Sequence, residues 1–200
     1  QMLDLGHAPP SNALLDADQL HGPEIWYPLR ILVCQTCWLV QTQEHGAGDA
    51  LFGDDYAYFS GYSSSWLAHA QAYVHAMVDR FALGPGSMVV EIAANDGYLL
   101  QYVQQAGVPC FGVEPTAGTA AVARGKGLEI VQEFFGVALA RQLRVQGRQA
   151  DLMVANNVLA HVPDIDDFVA GFAELLKPQG VATFEFPHLL QMVQGYQFDT

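Results

Sequence analysis

Residues Val89–Tyr98 read VVEIAANDGY, and Phe111–Pro115 read FGVEP. The first stretch is a short apolar run carrying the acid Glu91, which turns through small residues to Gly97 and enters a helical pattern. The second is another apolar run, ending in Glu114. The two acids are separated by about 20 residues, the spacing of a nucleotide-binding βαβ unit. Both acids then sit at the carboxyl ends of parallel strands, where open α/β sheets hold their ligands. The two carboxylate oxygens of Glu114 match two ribose hydroxyls. A ribose-containing cofactor is therefore expected.

The turn itself discriminates between cofactors. A dinucleotide site uses three glycines so that the backbone can approach a pyrophosphate at a helix N-terminus. Here the turn is Ala93-Ala94-Asn95-Asp96-Gly97, with one glycine and an added carboxylate. That suits S-adenosylmethionine (SAM), whose sulfonium and ammonium groups are cationic, better than NAD.

Further segments follow in the order of a doubly wound sheet. ADLMVANN at Ala150–Asn157 reads as a buried strand ending in two amides, followed by Val158–Pro163. Phe168, Phe172, Leu175 and Leu176 repeat at helical spacing until LKPQG breaks the pattern, and Val181–Phe186 is a last strand ending at Pro187-His188. The order resembles the class I SAM-dependent methyltransferases, with ELLKPQG standing where they carry a Leu-x-Pro-Gly-Gly turn and Gln179 in place of the first of those glycines. The fold class expected is α/β, a Rossmann-like methyltransferase sheet with a small N-terminal β-rich appendage.

Composition agrees. The chain has 200 residues, 51% of them apolar, enough for one α/β domain with a sizeable core and a small addition. A formal charge of −13 with only eight Lys and Arg argues against nucleic acid as a partner. No apolar run reaches the roughly 18 residues of a membrane span, and no leader pattern is present. The three cysteines make no disulfide framework, which fits a reducing cytoplasm.

Three regions are expected: 1–55, a partial zinc-knuckle-like module; 56–87, a linker and N-terminal helix; and 88–200, the SAM-binding domain. In the linker, Ser63 or Ser64 caps a helix whose face Trp66, Ala70, Tyr73, Val74, Met77 and Phe81 repeats at three and four residues. The core elements expected are strand 88–93, helix 97–106, strand 109–114, helix 117–126, strand 128–132, helix 137–146, strand 151–156, helix 165–176 and strand 180–186. The chain reads as cut at both ends. It opens at Gln1 with no initiator methionine and stops at Thr200, where such sheets usually have two more strands.

The candidate cofactor residues are Glu91, Ala93, Asn95 and Gly97 for the methionine portion, Glu114 and Pro115 for the ribose, and Asn156 at the end of the fourth strand. Glu133 and Phe134 follow the third strand at the level of an adenine, where an aromatic covers the purine and a carboxylate accepts from its amine. Phe135 reads equally well as a core aromatic. His161 follows the two amides where the methyl group points, and an ordinary imidazole pKa near 6.5 makes it usable as a base or donor. His188 opens toward the same face and ranks below it. His7, His21, His45, His69 and His75 read as surface or packing residues. Cys34-x-x-Cys37 has metal-ligand spacing, but a tetrahedral zinc site needs four ligands. Two readings stay open: half of a zinc knuckle, or a free structural pair. Cys37 precedes the strand-like Trp38-Leu39-Val40, and Cys110 reads as a small buried apolar residue.

Taken together, LGHAPPSNALL, Cys34/Cys37, DYAYFSGYSSSW, VVEIAANDGYLLQY, GVEP, EFFG, NNVLAHVPDIDDF and EFPHLLQMV resemble the sugar C-methyltransferases. The resemblance covers essentially the whole chain. It implies methylation of a carbon beside the ketone of a nucleotide-linked deoxysugar, an N-terminal four-cysteine zinc module, a central SAM domain and a C-terminal domain. Zinc is then a second cofactor of the full-length protein, held in part by Cys34 and Cys37. Tyr56 matches a family active-site tyrosine and His161 an active-site histidine. The family's main base candidate lies in a Tyr-x-Glu-His segment that would begin just after Thr200. The fragment alone is accordingly expected to bind cofactor and methylate poorly. Two other functions stay open: a SAM-binding domain without turnover, and O- or N-methylation of a small molecule.

Overall fold

The computed structural model describes residues 1–10, 14–43 and 58–197, and the chain divides into two compact units, Gln1–Tyr58 and Phe59–Thr200. The first is a three-stranded antiparallel sheet in the order β1-β2-β3, with β1 Leu3–Ala8, β2 Tyr27–Val33 and β3 Val40–Thr42. The β1–β2 register shifts between Asp4 and His7, where Gly6 takes φ 83°. Cys34–Cys37 forms the tight connection from β2 toward β3, closed by Trp38 N–H donating to Cys34 O at 3.1 Å. Trp38 itself has φ 64°, so the strand expected right after Cys37 begins only at Val40.

The second unit opens with a short 3₁₀ turn, Ser60–Tyr62, and helix α1, Ser64–Phe81. Of the two candidate caps, Ser63 is the one used: its hydroxyl accepts from Trp66 N–H at 3.2 Å. The helix ends where Ala82 turns left-handed, and it buries Ala70 and Val74.

Five parallel strands follow: β4 Val89–Ile92, β5 Cys110–Val113, β6 Ile130–Val131, β7 Ala150–Asn156 and β8 Leu176–Glu185. Their order is β6-β5-β4-β7-β8, so the chain starts in the middle, winds outward one way and then the other. Between them lie α2 Leu100–Gln105, α3 Ala117–Gly125, α4 Val137–Val145 and α5 Ile165–Leu175, with α6 Leu189–Gly195 after β8.

Strand alternation sorts the core into two layers. Val89, Leu152 and Val154 pack with Ala70 and Val74 of α1, Leu100 and Val103 of α2, and Ala120 and Ala123 of α3. Val90, Ile92, Phe111, Met153 and Ala155 pack with Leu139 and Leu143 of α4 and with Phe168, Phe172 and Leu175 of α5. Each fully buried large side chain contributes roughly 1.5–3 kcal/mol relative to exposure.

Two element starts differ from the sequence expectation by three residues or more. The helix expected from residue 97 starts at Leu100, because Ala93 (φ 58°), Asn95 (φ 50°) and Gly97 (φ 74°) all turn left-handed and lengthen the connection. The strand expected at 180–186 pairs already from Leu176, opposite Ala150, with an irregularity before Val181. Gly180 allows this: a Cβ there would lie 2.7 Å from Ala150 O, whereas Gln179 is exposed. Helix α6 was not anticipated.

Candidate cofactor and acceptor site

β4, β5 and β7 lie side by side with their carboxyl ends aligned, which brings Glu91, Glu114 and Asn156 to one edge of the sheet. Glu114 is 4% exposed, and each of its oxygens already accepts one backbone amide: Asn95 N–H on Oε2 and Thr116 N–H on Oε1, both at 2.9 Å. The carboxyl group is thereby fixed in orientation, with lone pairs remaining for hydroxyl donors.

Glu91 is in the opposite condition. It is fully buried and neither carboxylate oxygen meets hydrogen-bond geometry with a protein partner. Burial above all pushes its carboxyl well above the ordinary carboxylate range, and the charges of Glu114 and Asp96 push the same way. The Tyr98 hydroxyl and the Leu100 amide lie near enough to favour the charged form, without closing hydrogen bonds to it. An orphaned buried acid is costly, and a cation laid against it removes the cost.

The turn between β4 and α2 is held by side chains as well as backbone. Asn95 Oδ1 accepts from Ser60 N–H at 3.0 Å and from Asp96 N–H at 2.9 Å. Asp96 Oδ1 accepts from Gly61 N–H at 3.2 Å, and its Oδ2 lies 3.4 Å from Lys126 Nζ. The added carboxylate of this turn is thus committed to Lys126 and to the 3₁₀ turn. This removes Asp96 from the argument for a cationic ligand, which Glu91 carries instead. The one-glycine argument changes too, because the backbone is left-handed at Ala93, Asn95 and Gly97 alike. At Gly97 a Cβ would also lie 2.3 Å from Leu128 Cδ1.

Beyond β6, Glu133 is exposed and Phe134 is 55% exposed, open to a flat ligand. Phe135 turns inward, edge-on to Phe168 and Phe172 at 5.7 and 5.2 Å, and is a core residue. Pro115 is half-buried beside Glu114.

On the other side of β4, Asn156 Nδ2 donates to the Tyr98 hydroxyl at 3.4 Å. Tyr98 is 3% exposed, and burial, reinforced by the Glu91 charge, raises its pKa well above the usual phenol value. His161 ends a short 3₁₀ turn, Leu159–His161, after β7. Its surface area leaves it open to solvent, yet the chain packed on its other side desolvates the ring and lowers its pKa. His188 is exposed and precedes α6. Tyr56 and His45 lie outside the described residues.

Sequence reading missed three participants. Tyr98 is not among the candidate residues named from the sequence. The side-chain tie of Asn95 to Ser60 spans 35 residues. His69, read as surface or packing, is exposed but pairs with Glu185 at 2.9 Å, from a position 116 residues away. No local pattern signals either of the last two.

In the first unit, the Cys34 thiol is pulled down to about 7, first by the Cys37 backbone N–H, then by that of Thr36. Burial pushes Cys110 the other way, to about 11. Among the described residues no group of three or more His, Cys, Asp and Glu could hold a metal. A mainly apolar cavity of about 230 Å³, lined by Pro9, Pro10, Leu15, Pro23 and Ile25 among others, belongs to this unit and includes none of the candidate residues. No helix among the described residues is long and apolar enough to cross a membrane.

Comparison with known proteins completes the description. Residues 66–198 match the family described as "Methyltransferase domain", and residues 1–52 the one described as "Putative zinc binding domain". The C-methyltransferase NovU of Streptomyces niveus is 32% identical over 199 residues, covering 100% of this chain and 47% of that protein. A ubiquinone biosynthesis O-methyltransferase of Chelativorans sp. (strain BNC1) is 32% identical over 97 residues, covering 48% of this chain and 38% of that protein. The chain therefore spans less than half the length of these relatives. In fold it is similar to an S-adenosylmethionine-dependent methyltransferase from Clostridium acetobutylicum ATCC 824, with a TM-score of 0.52 at 16% identity over 64% of this chain and 54% of the other. The plantazolicin methyltransferase BpumL gives a TM-score of 0.52 at 11% identity, over 68% of this chain and 51% of the other.

Proposed function

The chain belongs to the methyltransferase-domain family, and from that premise we propose that it binds SAM and directs its methyl group to a carbon beside the ketone of a nucleotide-linked deoxysugar. The observation that carries the reading is the pair of strand-end acids in opposite states. Glu114 is held by two amides with acceptor capacity to spare, and Glu91 is buried with both oxygens orphaned. The first suits a ribose diol and the second the ammonium group of a methionine portion. Ala93, Asn95 and Gly97 carry the backbone around that portion, Pro115 flanks the ribose, and Glu133 and Phe134 take the adenine. The likeness to a C-methyltransferase along the whole chain supports carbon as the acceptor.

SAM, when bound, supplies an electrophilic methyl group on a sulfonium. What the protein adds is position and charge. Alignment of acceptor and methyl is a large part of the rate enhancement in such transfers. Charge developing on the acceptor ketone oxygen calls for a donor, the role proposed for Tyr56 and for His161. Asn156, which donates to the Tyr98 hydroxyl, would border the methyl portion in this reading. For the full-length protein we propose zinc as a second cofactor, with Cys34 and Cys37 as half of its ligands. Functionally the chain then divides into a zinc-knuckle-like module over 1–55, a linker and helix over 56–87, and the SAM domain from 88.

Calorimetric titration with S-adenosylhomocysteine tests the cofactor site. Glu114→Ala should weaken binding by about 10²–10⁴-fold, since two charge-assisted hydrogen bonds of about 1.5–3 kcal/mol each are removed. Unchanged affinity removes Glu114 from the site, and tighter binding of NAD than of SAM overturns the cofactor.

A further inference from the structure

The turn between β4 and α2 holds a conformation that its own backbone does not favour. Ala93 and Asn95 are left-handed without being glycine, and such a shape persists only where the surroundings over-determine it. Part of that determination comes from Glu114, which accepts the Asn95 amide. Further determination reaches the turn from outside the sheet. Asn95 Oδ1 accepts from Ser60 N–H at 3.0 Å and Asp96 Oδ1 from Gly61 N–H at 3.2 Å, both across 35 residues of chain. Lys126, just past the end of α3, holds the other Asp96 oxygen at 3.4 Å.

The dependence runs both ways. The 3₁₀ turn Ser60–Tyr62 buries none of its residues. Its closing bonds are long, Tyr62 N–H to Phe59 O at 3.3 Å and Ser63 N–H to Ser60 O at 3.4 Å. Its first two amides are satisfied by Asn95 and Asp96. The fit at this contact is close: a Cβ on Gly61 would overlap Asp96 Oδ2 and lie 3.1 Å from its Cγ. The carboxylate has no easy retreat, because its side chain is 6% exposed and Gly61 and Lys126 hold its two oxygens.

Resting on the reading that this turn carries the methionine portion of the cofactor, we propose that Gly61 and Asp96 are positioning residues for cofactor binding. They couple the 3₁₀ turn ahead of α1 to the turn that meets the ligand, so that each orders the other. Both act through the backbone of the cofactor turn. Two segments that stabilise one another in this way are linked thermodynamically. Whatever the contact adds to cofactor affinity, the cofactor must add to the contact, by a factor of about 5–150 for typical couplings. A ligand laid against Ala93–Gly97 therefore protects the Ser60 and Gly61 amides, although they belong to a different segment.

The test is hydrogen exchange of the full-length protein with and without saturating S-adenosylhomocysteine, read at Ser60, Gly61 and residues 93–97, together with calorimetric affinities. In the wild-type protein the ligand should slow exchange at both places, by about 5–150-fold at Ser60 and Gly61. Gly61→Ala and Asp96→Ala should each weaken S-adenosylhomocysteine binding by a factor in the same range and lose the added protection at Ser60. Asp96→Asn, which keeps an acceptor for the Gly61 amide, should recover part of the affinity. The wild-type comparison decides even where a variant fails to fold. Unchanged exchange at Ser60 and Gly61 while residues 93–97 are protected overturns the coupling, because a contact that only supports the fold does not respond to the ligand. Wild-type affinity in Gly61→Ala overturns it too. S-adenosylhomocysteine that binds without slowing residues 93–97 overturns the placement of the methionine portion, and the coupling with it.

Discussion

Replacing Glu91 by Gln should make the protein more stable and less able to bind its cofactor. In the free protein the carboxyl is fully buried and unpartnered, and its pKa is raised. A raised carboxyl favours folding only while it is protonated. Its contribution is fully present below the ordinary Glu value of about 4.3 and is lost as pH rises through the raised folded value. Glutamine does not ionise, so this loss disappears. Between the ordinary and the raised value the gain should grow by about 1.4 kcal/mol per pH unit, the slope set by the one proton that the folded carboxyl keeps and the unfolded one has released. Toward pH 5 the gain should shrink. Binding changes the other way. Losing one partner of a desolvated charge pair costs about 2–5 kcal/mol, which corresponds to roughly thirtyfold to several-thousandfold in affinity for S-adenosylhomocysteine. Thermal unfolding of the ligand-free proteins at pH 5 and pH 8, with calorimetry at pH 8, measures both. A variant that binds as the wild type does, or that is less stable at pH 8 than at pH 5 relative to wild type, would refute the reasoning.

Two further outcomes follow from the local geometry. Ala93→Gly should stabilise the protein by about 0.5–1 kcal/mol, because a left-handed Ala costs roughly 1–2 kcal/mol and glycine gives back part of that in unfolded-state entropy; a fall in melting temperature would show that the Ala93 methyl has a packing role instead. Alkylation of Cys34 should rise with pH about a midpoint near 7, since the amides of Cys37 and Thr36 favour the thiolate, while Cys110, pushed to about 11, stays inert at neutral pH; equal reactivity of the two at pH 7.5 would contradict the turn geometry.

The sheet was legible because its strands are short apolar runs with acids or amides at their carboxyl ends. Glu91, Glu114 and Asn156 could be placed on one edge before any coordinates. Local periodicity could not show where the turn after β4 stops. That depends on three left-handed residues of which only Gly97 announces itself. It likewise missed the early start of β8, which Gly180 permits by passing close to Ala150. Asp96 shows how composition misleads at a site. An acid in a cofactor turn suggests a cation-binding role, but its oxygens go to Gly61 and Lys126. The contacts that couple distant segments, Asn95 to Ser60 and His69 to Glu185, have no sequence signature because each partner alone is an unremarkable polar residue.

The central claim is that this sheet edge holds SAM and delivers its methyl group to carbon. Incubating the full-length protein with SAM labelled by ¹³C at the methyl group, together with a nucleotide-linked ketosugar, tests it in one spectrum. The account predicts a new carbon-bound methyl signal coupled to the sugar skeleton beside the carbonyl, formed along with S-adenosylhomocysteine. Label that emerges on oxygen or nitrogen, or that stays on the sulfonium although the cofactor is bound, would contradict it.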